Sequence, residues 1–294
     1  MKRIILQLFQ WKLKDIQEHL REIKENGYNY IQLSPLQPTK DGGLEWWKLY
    51  QPIAFTIGNP QIGTKKELIE LCKEAHKYGI KVISDVVVNH VASKDDNPLE
   101  PHEKVDKNLL KPEFFKEKKI ITNWEDRNEV IRLSNGLPCL DLSNHKLQDI
   151  IIDFLNELID CGVDGFRVDS AKSIALPCEG SDFWQRVFTN LKSEVFVYAE
   201  VIFTTTKIID EYNKYVNVTT ACKATDTSKI ISYVENHDSF LDDIIGYTRT
   251  LSDHQIVCEW RNLVTNYDNV LFYARPFNDT WKSSEMRYIN KEIA

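Results

Sequence analysis

Apolar and polar positions alternate along the chain in two different periods, and the switches between them mark the elements. Residues 4–9 form a short apolar run that predicts a strand. Asp15-Ile16-Gln17-Glu18 has the spacing of a capping box, and Ile16, Leu20 and Ile23 then share one helical face until Gly27. A second strand is predicted over 30–33. Thr64-Lys65-Lys66-Glu67 is another capping box, opening a helix that turns Leu68, Leu71, Cys72 and Ala75 inward and stops at Gly79. Residues 80–88 are almost continuously apolar and β-branched, as in a parallel strand buried on both faces. The helical period returns at Leu147, Ile150, Ile151, Phe154, Leu155, Leu158 and Ile159, and ends at Gly162. Strands are then expected over 163–168, 195–201, 215–218, 230–234 and 270–273. Helices are expected near 182–191, 206–212 and 256–266, with a short one over 283–293.

Repeated strand–helix alternation argues for an α/β protein with a parallel sheet, either doubly wound or closed. Eight strands favour the closed form, a (β/α)8 TIM barrel, whose chemistry sits at the C-terminal ends of its strands. No glycine-rich phosphate loop follows the first strand, which speaks against a doubly wound nucleotide binder. The stretch 91–144 is too long for an ordinary loop and is expected to be an inserted subdomain. The barrel would then comprise 1–90 and 145–294.

Composition narrows the classes of ligand. The 294 residues are 42% hydrophobic and 28% charged, as in a soluble globular protein. A net charge of −7 with scattered cations disfavours nucleic acid as a partner and leaves a neutral ligand open. No segment approaches the roughly 18 apolar residues of a membrane span. The start resembles a signal peptide, yet Gln7, Gln10 and Lys12 interrupt the apolar run, so a strand and a cytoplasmic location are expected. Six cysteines without a Cys-x-x-Cys pair or regular spacing predict free thiols.

The predicted strand ends carry the candidate chemistry. They read Asp85-Val86-Val87-Val88-Asn89-His90, Gly165-Phe166-Arg167-Val168-Asp169, Glu200, and Glu235-Asn236-His237-Asp238. An acid after a strand often caps the next helix, and a lone histidine is often structural. Apolar runs feeding straight into one polar face are harder to explain in that way. Asp169, Glu200 and Asp238 suit retaining glycoside hydrolysis, which needs an ionised carboxylate and a protonated carboxyl roughly 5–5.5 Å apart. Arg167, two residues before Asp169, points into the same layer and would keep Asp169 ionised, while crowding raises a neighbour such as Glu200.

In order, these strings together with Leu137-Pro138-Cys139-Leu140-Asp141, Arg167-Val168-Asp169-Ser170-Ala171-Lys172 and Tyr198-Ala199-Glu200-Val201 resemble the motifs of the α-amylase family, the thirteenth family of glycoside hydrolases. The resemblance spans nearly the whole chain. It implies an endo-hydrolase of α-1,4-glucans such as starch, glycogen or maltodextrin, with Asp169 as nucleophile, Glu200 as acid/base and Asp238 stabilising the transition state. Asp85, His90, Arg167, Lys172 and His237 would contact sugar. In Trp46-Trp47-Lys48-Leu49-Tyr50-Gln51, Trp47 and Tyr50 would stack on glucose beside Gln51; the alternative is a tryptophan pair packed under a loop. A transglycosylating relative, or a member that binds glucan without turnover, would present the same residues.

The resemblance also implies Ca2+ between insert and barrel, held by the side chains of Asn89 and Asp141 and the carbonyls of Arg132 and Ser173. Serine stands at 173 where histidine is usual, and Asn89 and Asp141 could instead only hydrogen-bond the loop. Arg167 matches the arginine of a chloride site found in some relatives, with no second basic ligand apparent. Little room remains for a helix between strands six and seven, which should expose apolar strand surface. No β-sandwich domain, usual after the barrel in that family, follows within this sequence.

Overall fold

The computed structural model describes residues 2–42, 45–219, 225–241 and 251–294, without the side chain of Leu241. Eight parallel strands close into a barrel in sequence order: β1 (Arg3–Leu8), β2 (Tyr30–Leu33), β3 (Lys81–Val86), β4 (Gly165–Val168), β5 (Phe196–Glu200), β6 (Asn217–Thr219), β7 (Ile230–Tyr233) and β8 (Asn269–Tyr273). Closure is made by β1 on β8, with Ile4 opposite Val270 and Leu6 opposite Phe272. The helices are α1 (Leu13–Glu25), α2 (Lys65–Lys77), α3 (Arg127–Arg132), α4 (His145–Asp160), α5 (Phe183–Thr189), α6 (Thr206–Tyr212), α7 (His237–Leu241), α8 (Asp253–Asn266) and α9 (Ser284–Tyr288). No described helix is long and apolar enough to cross a membrane.

The capping box expected at Thr64 forms, with Glu67 returning to the Thr64 backbone. The one expected at Asp15 does not. Helix α1 starts three residues earlier, behind Lys12, because Leu13 is buried and its N–H finds the Ile62 carbonyl at 2.9 Å. Asp15 therefore lies in the first turn, where its charge suits the helix dipole. Between β6 and β7 the described residues form only a short turn, Thr227–Lys229. The expected exposure of apolar strand surface does not follow. Val218, Ile230 and Ile231 are buried, with α6 against β6 and α8 against β7.

The barrel interior is apolar at its lower end and polar at its upper end. Ile5, Tyr30, Ile83, Tyr198, Ile231 and Leu271 pack together inside it. One layer up, Gln32 accepts a hydrogen bond from the Tyr198 hydroxyl, and Asp85 stands directly opposite Arg167. Gly165 lets β4 and β5 come this close, since a β-carbon there would lie 2.4 Å from the Phe196 carbonyl oxygen. Gly165→Ala is expected to destabilise the fold by roughly 1–3 kcal/mol through overpacking, read as a lower denaturant midpoint with unchanged slope.

Residues 91–144 add no barrel strand and pack a small core of Ile121, Val130 and Leu133. At the other end of the sequence, Asn290 accepts from the Trp260 indole and donates to the Asn26 carbonyl, closing the last helical segment on α8 and α1. Among the described cysteines Cys72, Cys139 and Cys161 are buried and Cys178 and Cys258 exposed, all as free thiols; Cys222 lies outside the described residues.

Candidate active site

Side chains on parallel strands repeat every second residue, so position 167 and the residue two further on face the same cavity. Arg167 is the centre of the group this creates. Its Nη1 donates to both oxygens of Asp85 at 2.9 Å and to Oδ1 of Asp169 at 2.8 Å, and its Nη2 pairs with Glu200. All four side chains are buried. One guanidinium thus ties together acids from β3, from the end of β4 and from β5. The other Glu200 oxygen accepts the Ser170 N–H at 2.9 Å. Ser170 holds that direction only by taking a left-handed backbone, φ 50°, immediately after Asp169.

A second group forms on His237. Gln7 Nε2 donates to its Nδ1 at 2.9 Å, and its Nε2 meets the Tyr50 hydroxyl at 2.7 Å. That hydroxyl donates to Asp85 at 2.8 Å, joining the two groups. Asp238 lies 3.2 Å from the same imidazole Nε2. Phe9 stacks on the His237 ring at 4.2 Å, and Trp46 meets it edge-on at 5.8 Å. The tryptophan pair is therefore divided: Trp46 packs beneath the loop, while Trp47 is 43% exposed.

A family model described as "Alpha amylase, catalytic domain" matches residues 11–269. The chain belongs to the alpha-amylase family. It is 29% identical to an alpha-amylase of Clostridium acetobutylicum over 98% of this chain and 43% of that protein. An alpha-amylase-related protein of Drosophila melanogaster is 29% identical over 68% of this chain and 44% of its own length. The chain thus spans about two fifths of the length of these curated relatives. Among solved structures it resembles the alpha-amylase of Geobacillus thermoleovorans complexed with acarbose, with a TM-score of 0.78 and 21% identity over 98% of this chain and 77% of that one. It also resembles the cyclomaltodextrin glucanotransferase CldA, at 0.79 and 16% identity over 99% and 79%. At these identities the structural likeness is one of fold.

Electrostatics set this alpha-amylase-family cluster apart from surface ion pairs. Burial pushes Asp169 well up, opposed by Arg167 and reinforced by Glu200 and Asp85. Burial also raises Glu200; Arg167 opposes this and Asp238 adds to it. Burial would raise Asp238 as well, but the His237 ring, Arg167 and a hydrogen bond with Glu200 hold it down at about 2. The arrangement therefore keeps Asp238 ionised and favours a proton on the Asp169–Glu200 pair. Burial lowers His90 to about 4, so its ring is neutral at pH 7. It sits 2.8 Å from the Tyr50 carbonyl through Nε2, and its buried Nδ1 has no protein partner among the described residues.

Other expected positions are placed differently. Gln51 accepts from the Ser93 backbone N–H at 3.2 Å and so ties its loop to the insert. Lys172 donates to the Phe203 carbonyl at 2.6 Å and lies 5.3 Å from the Trp124 ring. Gln7, Phe9 and Ser170 were not singled out from the sequence. Gln7 counted there only as an interruption of an apolar run. Nor was the Glu235–Arg275 pair, a two-pronged contact at 2.6 and 2.7 Å between residues 40 positions apart.

The four residues expected to hold Ca2+ do not fit that ion as placed. Asn89 Oδ1 is buried without a protein partner, as an ion ligand would be. Each of the other three already accepts hydrogen bonds from protein donors. Asp141 Oδ1 accepts from the Ser143 hydroxyl at 2.6 Å and its N–H at 3.1 Å. The Arg132 carbonyl accepts the Glu117 N–H at 3.3 Å, and its guanidinium pairs with the Glu117 carboxylate. The Ser173 carbonyl takes the ammonium of Lys116 at 2.7 Å.

Proposed function

We propose that this chain is the catalytic barrel of a retaining hydrolase that cuts α-1,4 bonds within starch, glycogen or maltodextrin. The observation that carries the reading is the Arg167 guanidinium shared by Asp169 and Glu200. A single fork serving both acids suits the close spacing of the retaining pair, roughly 5–5.5 Å, better than the wider spacing of inverting enzymes.

In this scheme the Asp169 carboxylate attacks the anomeric carbon while Glu200 gives its proton to the glycosidic oxygen. The bond to the leaving sugar breaks, and Asp169 is left as a glycosyl ester. Water then passes a proton to Glu200 and attacks the same carbon, releasing Asp169 with retained configuration. Esterification removes the Asp169 charge from beside Glu200, which favours Glu200 as the carboxylate base of the step that follows. Asp238, held ionised, can accept from ring hydroxyls, and His90 Nδ1 offers a further acceptor. Exposed Trp47 supplies a stacking face at the cleft.

Reducing-sugar release from soluble starch tests the scheme, beside Glu200→Gln. The variant keeps the shape but cannot protonate the leaving oxygen, so kcat should fall roughly 10³-fold. Turnover undiminished in the variant would overturn the acid/base assignment. If the products are transferred to a second sugar instead of water, a growing ladder of longer oligosaccharides replaces the shorter ones.

A further inference from the structure

The turn after Asp169 is bound to the insert by cations of the chain itself. Residues 171–174 present four carbonyls on one short turn. The Tyr212 hydroxyl reaches three of them, those of Ala171, Lys172 and Ile174. Arg127, from α3 in the insert, donates to the Lys172 carbonyl at 2.6 Å while its fork grips Glu179 at 2.7 and 2.8 Å. The remaining carbonyl, that of Ser173, is taken by Lys116 Nζ.

Lys116 is held for this task. Its own N–H bonds the Cys139 carbonyl at 2.9 Å, Phe115 pairs antiparallel with Leu140, and the Asp141 N–H bonds the Phe114 carbonyl at 2.7 Å. Leu140 in turn donates to the Asn89 carbonyl at 2.8 Å, which fixes the strip to the end of β3. The ammonium is thus partly buried at the junction of insert, β3 end and post-Asp169 turn. Burial lowers the Lys116 ammonium, the nearby Arg127 adds to this, and the Asp141 carboxylate opposes it.

We infer that the Lys116 ammonium does the bridging work of a divalent cation, so that the insert is joined to the barrel without bound calcium. A cation with a covalent tether meets the Ser173 carbonyl at hydrogen-bond distance and leaves no room for a second positive ion beside it. Two cations of the chain, Lys116 and Arg127, then hold neighbouring carbonyls of one turn. The turn carries Ser170, whose N–H orients Glu200, so the bridge reaches the active site through backbone alone.

The test reads stability and ion binding, not glucan turnover, and so is independent of the proposed activity. Wild-type chain is melted in millimolar EDTA and in millimolar calcium chloride, and calcium is titrated into the dialysed protein by calorimetry. The two melting temperatures should agree within about 1 °C, with no heat of stoichiometric binding. A rise of several degrees with calcium, or one ion bound per chain, would overturn the inference. Lys116→Met keeps the stem and loses the charge, and its melting temperature should fall by about 5 °C, with Lys116→Arg recovering most of it. A Lys116→Met protein that melts with wild type would equally overturn it, and should that variant fail to fold, the wild-type titration decides alone.

Discussion

Asp169→Asn is expected to lower turnover of maltodextrin roughly 10⁴-fold or more while leaving the barrel folded and glucan bound. The amide has the shape of the carboxylate, and its oxygen can still accept from Arg167, which meets Asp169 at 2.8 Å. The backbone N–H of residue 169 bonds the Val86 carbonyl at 3.0 Å, independently of the side chain. What disappears is the charge that attacks the anomeric carbon. Because burial raises Asp169, its ionised form costs stability in the folded state, so the amide should melt at or above wild type at neutral pH. Single-turnover kinetics beside calorimetric maltodextrin binding separates the two effects. A variant rate within about tenfold of wild type would remove Asp169 from the nucleophile's role.

Arg167→Met should give the largest loss of stability, roughly 3–5 kcal/mol at neutral pH, because it strips a buried cation from three buried acids. The loss depends on pH with a definite sign. Asp169 and Glu200 already sit above their ordinary values through burial, and without Arg167 they rise further. A group with a raised folded pKa contributes stability below its unfolded value and loses it as pH rises through the folded one. The deficit of Arg167→Met relative to wild type should therefore be smaller near pH 4 than at pH 7. Asp238, held at about 2 in part by Arg167, loses that help too, but it titrates below both pH values, so its share of the deficit is nearly the same at each. Paired urea unfolding at the two pH values measures it, and a deficit that grows on acidification would contradict the charge account.

Much of this was legible because a closed parallel barrel writes itself plainly. Strand interiors must be apolar on both faces, and the change to Asp85, Asp169 and Glu200 at their ends is abrupt. Helix α6 begins and ends where its period predicts, over Thr206–Tyr212. What escaped detection depends on direction and distance. Gln7 looks like a flaw in β1 until the barrel closes and brings it under His237, 230 positions away. Lys116 stands in the run Lys116-Glu117-Lys118-Lys119, which in sequence reads as a solvated charge cluster. Only the pairing of 114–116 with 139–141 turns it inward. Trp46 and Trp47 are alike in sequence and opposite in role, since a short 3-10 turn over Trp46–Tyr50 points them to different sides. Helix α1 starts ahead of the Asp15 spacing for a related reason: a tertiary partner for Leu13 outweighs the local cap at Asp15.

The seam between β1 and β8 gives synthesis of this chain a particular order. Arg3 pairs with Asn269, so β1 waits for a further 266 residues to be made before one of its sides is satisfied. Until then β1 and the growing front of the sheet are two open edges of apolar ribbon, each able to pair with another nascent chain. Loop closure over more than 260 residues also makes this the slowest contact to form. Growth conditions that slow elongation or crowd polysomes should therefore divert this protein into aggregates before it ever reaches a stable state, whatever the stability of the finished barrel.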